Sequence, residues 1–263
     1  MHNAAFAALG LNWRYLAFEV PPDHLRAAIA GAKAMQFAGL NLTVPHKLLA
    51  LDMVDQLDES AKKWGAVNTI HFESENAGGK IRAVGYNTDA DAIVTALRED
   101  LKVELRGVKV LLLGAGGAGR TAALKFAAEG VSSLFLVNRT WSKAEAAAVE
   151  ISKQFPSVGV TVGYPKTDVE VMVNATSLGL KPGDPSPLDE SQFSLRQIHA
   201  VYDMIYNPAE TALLQAAKAA GCKTANGLGM LLHQGAKAFE IWTGKTAPRE
   251  VMRRALEQSI YGH

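Results

Sequence analysis

"VKVLLLGAGGAGR", residues 108–120, decides the fold. After Lys109 the run is continuously apolar, the mark of a parallel strand buried on both faces. It passes directly into G-x-G-x-x-G at Gly114, Gly116 and Gly119, and a helical pattern follows over 119–129. Strand, glycine turn and helix in that order open a dinucleotide-binding unit. Gly114 permits the tight turn, Gly116 lets backbone N–H groups approach a pyrophosphate, and Gly119 lets helix and strand pack closely. The helix N-terminus adds partial positive charge for the phosphates. The loop residues Gly114, Ala115, Gly116, Gly117, Ala118 and Gly119 are therefore candidate cofactor ligands.

Downstream, "LFLVNRT" (134–140) reads as the second strand, with a helix over 142–154. A fold of this kind that binds NAD places Asp or Glu at the end of that strand for the ribose 2′-OH. Here the strand ends in "VNRTWSK" with no acid. Arg139 offers a planar fork suited to a 2′-phosphate, Lys143 adds charge, and Thr140 and Ser142 can donate hydrogen bonds. NADP is thus favoured over NAD. "VTVGY", "VEVMVNAT" and "HAVYDMIY" continue the series of buried strands, and the section from about Gly227 is helical, with Met230, Leu231, Ala238, Phe239 and Trp242 as its apolar positions.

Upstream lies a second α/β block. A helix is expected almost at the start, "MHNAAFAALG", where Asn3 could cap. "YLAFEV" (15–20) alternates like a strand, "PPDHLRAAIAGAKAM" reads as a helix, and "GLNLTV" (39–44) as a short strand stopped by Pro45. The pattern is helical from Lys47 to about Lys63; "AVNTIHF" and "IRAVGYN" then read as strands around the loop "ESENAGG", and a helix runs from about Asp89 to Leu101. The expected architecture is α/β: an N-terminal substrate domain (1–88) completed by C-terminal helices (227–263), and a doubly wound Rossmann-type domain (89–226).

With 48% hydrophobic and 20% charged residues and a net charge of +1, the 263-residue chain has an ample core and lacks the basic surface that nucleic acid demands. No apolar run is long enough to span a bilayer. The single cysteine, Cys222, reads as a small buried hydrophobe. The scattered histidines form no metal-ligand spacing, so no metal is expected. With no targeting segment read, the cytoplasm is the expected compartment. A homodimer is kept open, since no interface patch stands apart from core periodicity.

Hydride transfer needs a proton donor or acceptor beside the reacting oxygen. Polar side chains cluster at strand ends in "NLTVPHK" (41–47), "GAVNT" (65–69) and "GYNTDA" (85–90), each unremarkable singly. Together with "GAGGAGR", "VNRT", "NATSLG", "YDMIYNP" and "NGLGMLLHQG", in this order, they resemble the shikimate dehydrogenase family over essentially the whole chain. The resemblance implies reversible, NADP-dependent reduction of 3-dehydroshikimate to shikimate, a step of aromatic amino-acid biosynthesis. It implies Lys47 as acid/base and Asp89 as its partner. Asn41, Thr43, Asn68, Tyr206 and Gln234 fall on substrate positions. Asn138, Arg139, Thr140 and Lys143 match cofactor positions, Met204 and Gly227 nicotinamide-side positions, and Glu59 a further cofactor position. His46, beside the lysine, is read as structural.

The resemblance departs in one place. Family members carry a first strand and a Ser-x-Ser-Pro turn ahead of the "MHNAAF" helix, whose hydroxyls bind the substrate carboxylate; neither is in this sequence. The expectations are a start at an internal methionine, or an enzyme that binds NADPH with altered or impaired substrate binding. The alternatives are a quinate/shikimate dehydrogenase of broader range, a methylenetetrahydrofolate dehydrogenase, which "GAVNT" and "NGLGML" disfavour, and a dinucleotide-binding remnant, which the retained Lys47 and Asp89 disfavour.

Overall fold

The computed structural model describes residues 1–74 and 79–262. Most of the expected "ESENAGG" loop lies outside the described residues. The chain divides into two compact units: Met1–Ala90 with Leu232–His263, and Asp91–Leu231.

In the first unit, α1 (His2–Ala8) is followed by α2 (Leu25–Ala34), β1 (Gly39–Asn41), α3 (His46–Leu49), β2 (Gln56–Leu57), α4 (Glu59–Trp64), β3 (Thr69–Ser74) and β4 (Ile81–Tyr86). The sheet order is β1-β3-β4-β2; β3 is antiparallel to both its neighbours, and β2 runs parallel to β4. Leu25, Ile29 and Ala32 of α2 bury a helical stripe against Val67, Ile70 and Ala83.

Four local expectations are corrected here. Residues 11–20 form no strand: "YLAFEV" alternates, but no neighbour supplies a ladder, and Leu16 and Phe18 stay exposed. Asn3 does not cap α1; its amide donates to the Tyr15 carbonyl and accepts from the Tyr15 N–H, at 3.0 and 2.7 Å, pinning that extended segment instead. The helix expected over 47–63 is broken. Asp55 accepts from the Ala83 N–H at 2.7 Å and donates its own N–H to the Ala83 carbonyl at 2.9 Å, drawing β2 alongside β4. Helix α4 then starts afresh, with the Asp58 carboxylate accepting from the Ser60 N–H. The strand expected over 39–44 is also shortened to β1.

The second unit contains most of α5 (Asp89–Leu101), then β5 (Lys109–Leu113), α6 (Gly117–Ala128), β6 (Ser133–Val137), α7 (Trp141–Gln154), β7 (Gly159–Val162), β8 (Val169–Asn174), β9 (Ile198–Asp203), α8 (Ala212–Ala219) and β10 (Lys223–Ala225). All strand pairs are parallel, in the order β10-β9-β8-β5-β6-β7. This is the doubly wound dinucleotide-binding order. Val110, Leu111 and Leu112 are fully buried at its centre, as expected of a strand covered on both faces. Cys222 is buried in the same core, its thiol bonded to the Leu195 and Ile198 carbonyls and its pKa pushed up by burial.

Helices α9 (Leu228–Thr243) and α10 (Arg249–Tyr261) end the chain. Within the first unit, the Trp242 indole of α9 donates to the Ile70 carbonyl at 2.9 Å. Gly39 makes room for it: a Cβ there would collide with the indole and with the Ile70 carbonyl. No helix among the described residues is long and apolar enough to cross a membrane.

Candidate functional site

In the first unit the site is built around a lysine on a single helical turn. Helix α3 spans four residues, too short to fix a side chain by its own hydrogen bonds. Its position comes from outside: the Lys47 carbonyl accepts from the Val67 N–H at 2.8 Å, and the ammonium donates to Asp89 Oδ2 at 2.7 Å. Only 22% of the lysine side chain and 9% of the aspartate side chain are exposed, so the pair is screened from bulk water. Asp89 is the first residue of α5, where a negative charge is favoured by the helix dipole. Asn87 closes that terminus, its amide oxygen accepting from the Asp89 and Ala90 N–H groups at 3.1 Å each and its amide nitrogen donating to the Ala66 carbonyl at 3.1 Å.

A polar network lies beside the pair. Asn41 donates through Nδ2 to Thr69 Oγ1 at 3.0 Å and to the Asn68 carbonyl at 3.3 Å. Buried Asn68 donates to Thr88 Oγ1 at 2.9 Å and accepts from the Thr88 N–H at 2.8 Å and from Thr69 Oγ1 at 3.2 Å. Thr43 is exposed and its hydroxyl has no partner among the described residues. Gln234 is half-buried on α9. Glu59 stands at the start of α4 with its carboxylate paired to Lys62 at 2.6 Å and largely in solvent, outside this network. His46 bonds through Nε2 to the Val20 carbonyl at 2.9 Å, a structural contact. Asn87, Thr69 and Thr88 were not singled out by sequence, although all lie in the quoted motifs. Tyr15, whose hydroxyl donates to Asn41 Oδ1 at 3.0 Å, lies in the segment misread as a strand.

In the second unit, the glycine loop links β5 to α6. Gly114 has φ +103°, and a Cβ on Gly119 would drive into the Gly114 carbonyl. Added Cβ atoms on Gly116 and Gly117 meet no protein atom, and no side chain caps α6. That leaves an open cradle of N–H groups, which fits a pyrophosphate. Asn138, at the end of β6, locks the loop: its Oδ1 accepts from the Ala115 N–H at 2.9 Å and its Nδ2 donates to the Thr140 carbonyl at 2.7 Å. Arg139, Thr140, Ser142 and Lys143 are exposed, and neither cation forms an ion pair among the described residues. That donor set fits a 2′-phosphate.

At the end of β9, Asp203 is fully buried and burial raises its carboxyl pKa. It accepts from Asn174 Nδ2 at 2.9 Å, the Ile205 N–H at 3.1 Å and Thr211 Oγ1 at 2.7 Å. The half-buried Met204 follows, its carbonyl so close to Gly227 that no side chain fits between them. Tyr206 is partly exposed beyond it.

Three family descriptions match the chain in order: the shikimate dehydrogenase substrate binding domain over residues 1–70, shikimate / quinate 5-dehydrogenase over 96–162, and the shikimate 5′-dehydrogenase C-terminal domain over 227–257. The shikimate dehydrogenase (NADP(+)) of Methanopyrus kandleri is 41% identical over 267 residues, an alignment covering 99% of this chain and 90% of the relative. A crystal structure of a shikimate dehydrogenase in complex with NADP+ superposes with a TM-score of 0.86 at 39% identity, covering 98% of this chain and 89% of that one. The Thermus thermophilus enzyme, in complex with NADP(H) and shikimate, gives 0.84 at 34% identity, covering 98% and 92%. With this identity sustained along nearly its full length, the chain belongs to the shikimate dehydrogenase family.

Proposed function

We propose that this protein catalyses the reversible, NADP-dependent reduction of 3-dehydroshikimate to shikimate, with Lys47 as general acid/base. The observation that carries the assignment is the shielded Lys47–Asp89 pair, 2.7 Å from nitrogen to oxygen. Bound NADPH supplies hydride to the carbonyl carbon. The ketone oxygen gains negative charge as that happens, and the Lys47 ammonium delivers a proton to it; in the reverse direction the lysine accepts the hydroxyl proton. Asp89 keeps the ammonium oriented and remains an acceptor throughout.

Thr43, Asn41, Asn68 and Gln234 suit a ring with several hydroxyls, since hydroxyl and amide groups both donate and accept. The two hydrogens of Asn41 Nδ2 are engaged by protein acceptors, so a substrate hydroxyl meets its carbonyl oxygen. Asn68 retains one amide hydrogen beyond its bond to Thr88. On the cofactor side, the open N–H cradle before α6 and the unpaired Arg139 and Lys143 support NADP, with Asn138 holding the loop and Met204 and Gly227 toward the nicotinamide. Glu59 and Tyr206 are secondary members of the cofactor and substrate sets. The reading carries a cytoplasmic location, and a homodimer is the assembly to examine by light scattering.

Steady-state assays with shikimate and quinate, each with NADP+ and NAD+, test the assignment. Shikimate with NADP+ is the expected best pair. Lys47→Ala should lower kcat by about 10²- to 10⁴-fold while NADP+ binding by calorimetry is unchanged. A Lys47→Ala enzyme with undiminished kcat would remove the lysine from the mechanism.

A further inference from the structure

We propose that Tyr15 is a positioning residue for Asn41, holding its amide oxygen in place for a substrate hydroxyl; this rests on the assignment of Asn41 to the substrate site. The geometry leaves one arrangement. The Asn68 carbonyl, 3.3 Å from the Asn41 amide nitrogen, can only accept, so it requires Nδ2 on its side. Oδ1 therefore faces Tyr15, and the phenol, 3.0 Å away, must be the donor. From there one chain of bonds runs from Tyr15 to Asn41, Asn41 to Thr69, Thr69 to the Asn68 side chain, and Asn68 to Thr88, the residue before Asp89; the Thr88 hydroxyl donates back to Asn68 Oδ1 at 3.3 Å and closes it. Hydrogen bonds aligned in one sense polarise one another.

Removing the phenol proton would leave Asn41 Oδ1 without its protein donor and free the amide to tilt away from the substrate.

The phenol is itself held. Asn3 brackets its backbone, the ring stacks on His2 at 4.5 Å between centroids, and Trp242 lies 6.2 Å away. Burial raises the Tyr15 pKa, which keeps the hydroxyl a neutral donor. His2 is pushed down to about 4, so it is neutral near pH 7 and adds no charge beside the ring. The side chain thus spans from the aromatic cluster under α1 to the amide in the network.

Tyr15→Phe is the first test, read as separate KM values in the shikimate oxidation assay. The expected result is a KM for shikimate raised about tenfold, as for loss of one useful hydrogen bond. The KM for NADP+ should not change, and kcat should fall less than threefold. Asn41→Ala should raise the same KM, and adding Tyr15→Phe to it should do nothing more. A folded Tyr15→Phe enzyme with wild-type KM for shikimate overturns the proposal, as do additive effects or a parallel rise in both KM values. An inactive wild type overturns the functional assignment and this inference together, whereas an active one with an indifferent Tyr15→Phe overturns the inference alone. If Tyr15→Phe does not fold, 3,5-difluorotyrosine at position 15 keeps the ring and hydroxyl but makes a stronger acid. Its KM for shikimate should then climb with pH as the donor is lost, where the wild type stays flat; superimposable profiles overturn the proposal.

Discussion

Gly119→Ala probes the cofactor cradle at its tightest point. The new Cβ would lie 2.8 Å from the Gly114 carbonyl carbon and nearer still to its oxygen. Carbon atoms pack at about 3.5 Å or more, so the start of α6 must retreat from the β5 turn by roughly 1 Å. The obstacle is main-chain carbonyl, which cannot rotate aside as a side chain could. Such overpacking costs about 1–3 kcal/mol of stability, lowering Tm by several degrees. The same shift withdraws the α6 N–H groups from a bound pyrophosphate. Losing one charge-assisted hydrogen bond, about 1.5–3 kcal/mol, weakens NADP+ binding roughly 10- to 100-fold. Calorimetric titration with NADP+ and a thermal melt measure the two effects on one preparation. Gly117→Ala separates them, because its Cβ meets no protein atom within 4 Å: it should keep the wild-type Tm. A Gly119→Ala protein with Kd within twofold of wild type and an unchanged melt would refute the reasoning.

Asp203→Ala should destabilise the protein by about 3 kcal/mol or more, because three buried donors, from Asn174, Ile205 and Thr211, lose their acceptor together; urea unfolding near pH 7 measures it, and a change below 1 kcal/mol is the contrary result. For His2, burial depresses the folded pKa to about 4 from 6.5, so the unfolded chain binds the extra proton between those values. Stability should therefore be lost as pH falls from 6.5 toward 4, by about 3 kcal/mol in full; His2→Phe should flatten that limb of the urea-stability profile, and an unchanged slope would exclude the histidine as its cause.

Legibility in the sequence followed the range of the forces involved. Strands β5, β6, β8 and β9 and helices α5, α6 and α7 could be read because local pattern and final burial coincide: Leu111 and Leu112 are apolar neighbours because both faces of their strand are covered. The glycine spacing carried its own geometric reason, visible in the Gly114–Gly119 contact. In the first unit, pattern and pairing part company. The helical periodicity of 47–63 is overridden by two bonds between Asp55 and Ala83, which are 28 residues apart. The alternation of residues 15–20 has no ladder to join. Lys47 and Asp89 could be named from the quoted motifs, and their 2.7 Å separation is a product of the fold. Asn138 was named for the cofactor but was not legible as the lock on Ala115, 23 residues away.

The irregular backbone of the first unit is what holds Lys47 in place. A longer α3 would present Lys47 on an exposed helical face, where its four-carbon stem would sample many rotamers. One turn has no such face, and its placement passes to neighbours: Val67 grips the Lys47 carbonyl while Asp89 holds the ammonium. Each of these is anchored in turn. Asn68, next to Val67, is bonded to Thr88, next to Asp89, by both side-chain and main-chain contacts. The two grips on Lys47 are thereby tied to each other, so the loop after β1 and the start of α5 cannot drift independently. A general acid must stay within hydrogen-bond reach of one oxygen. For Lys47 in its proposed role, cross-linking two strand ends around a single turn would meet that constraint, rather than the rigidity of a long element.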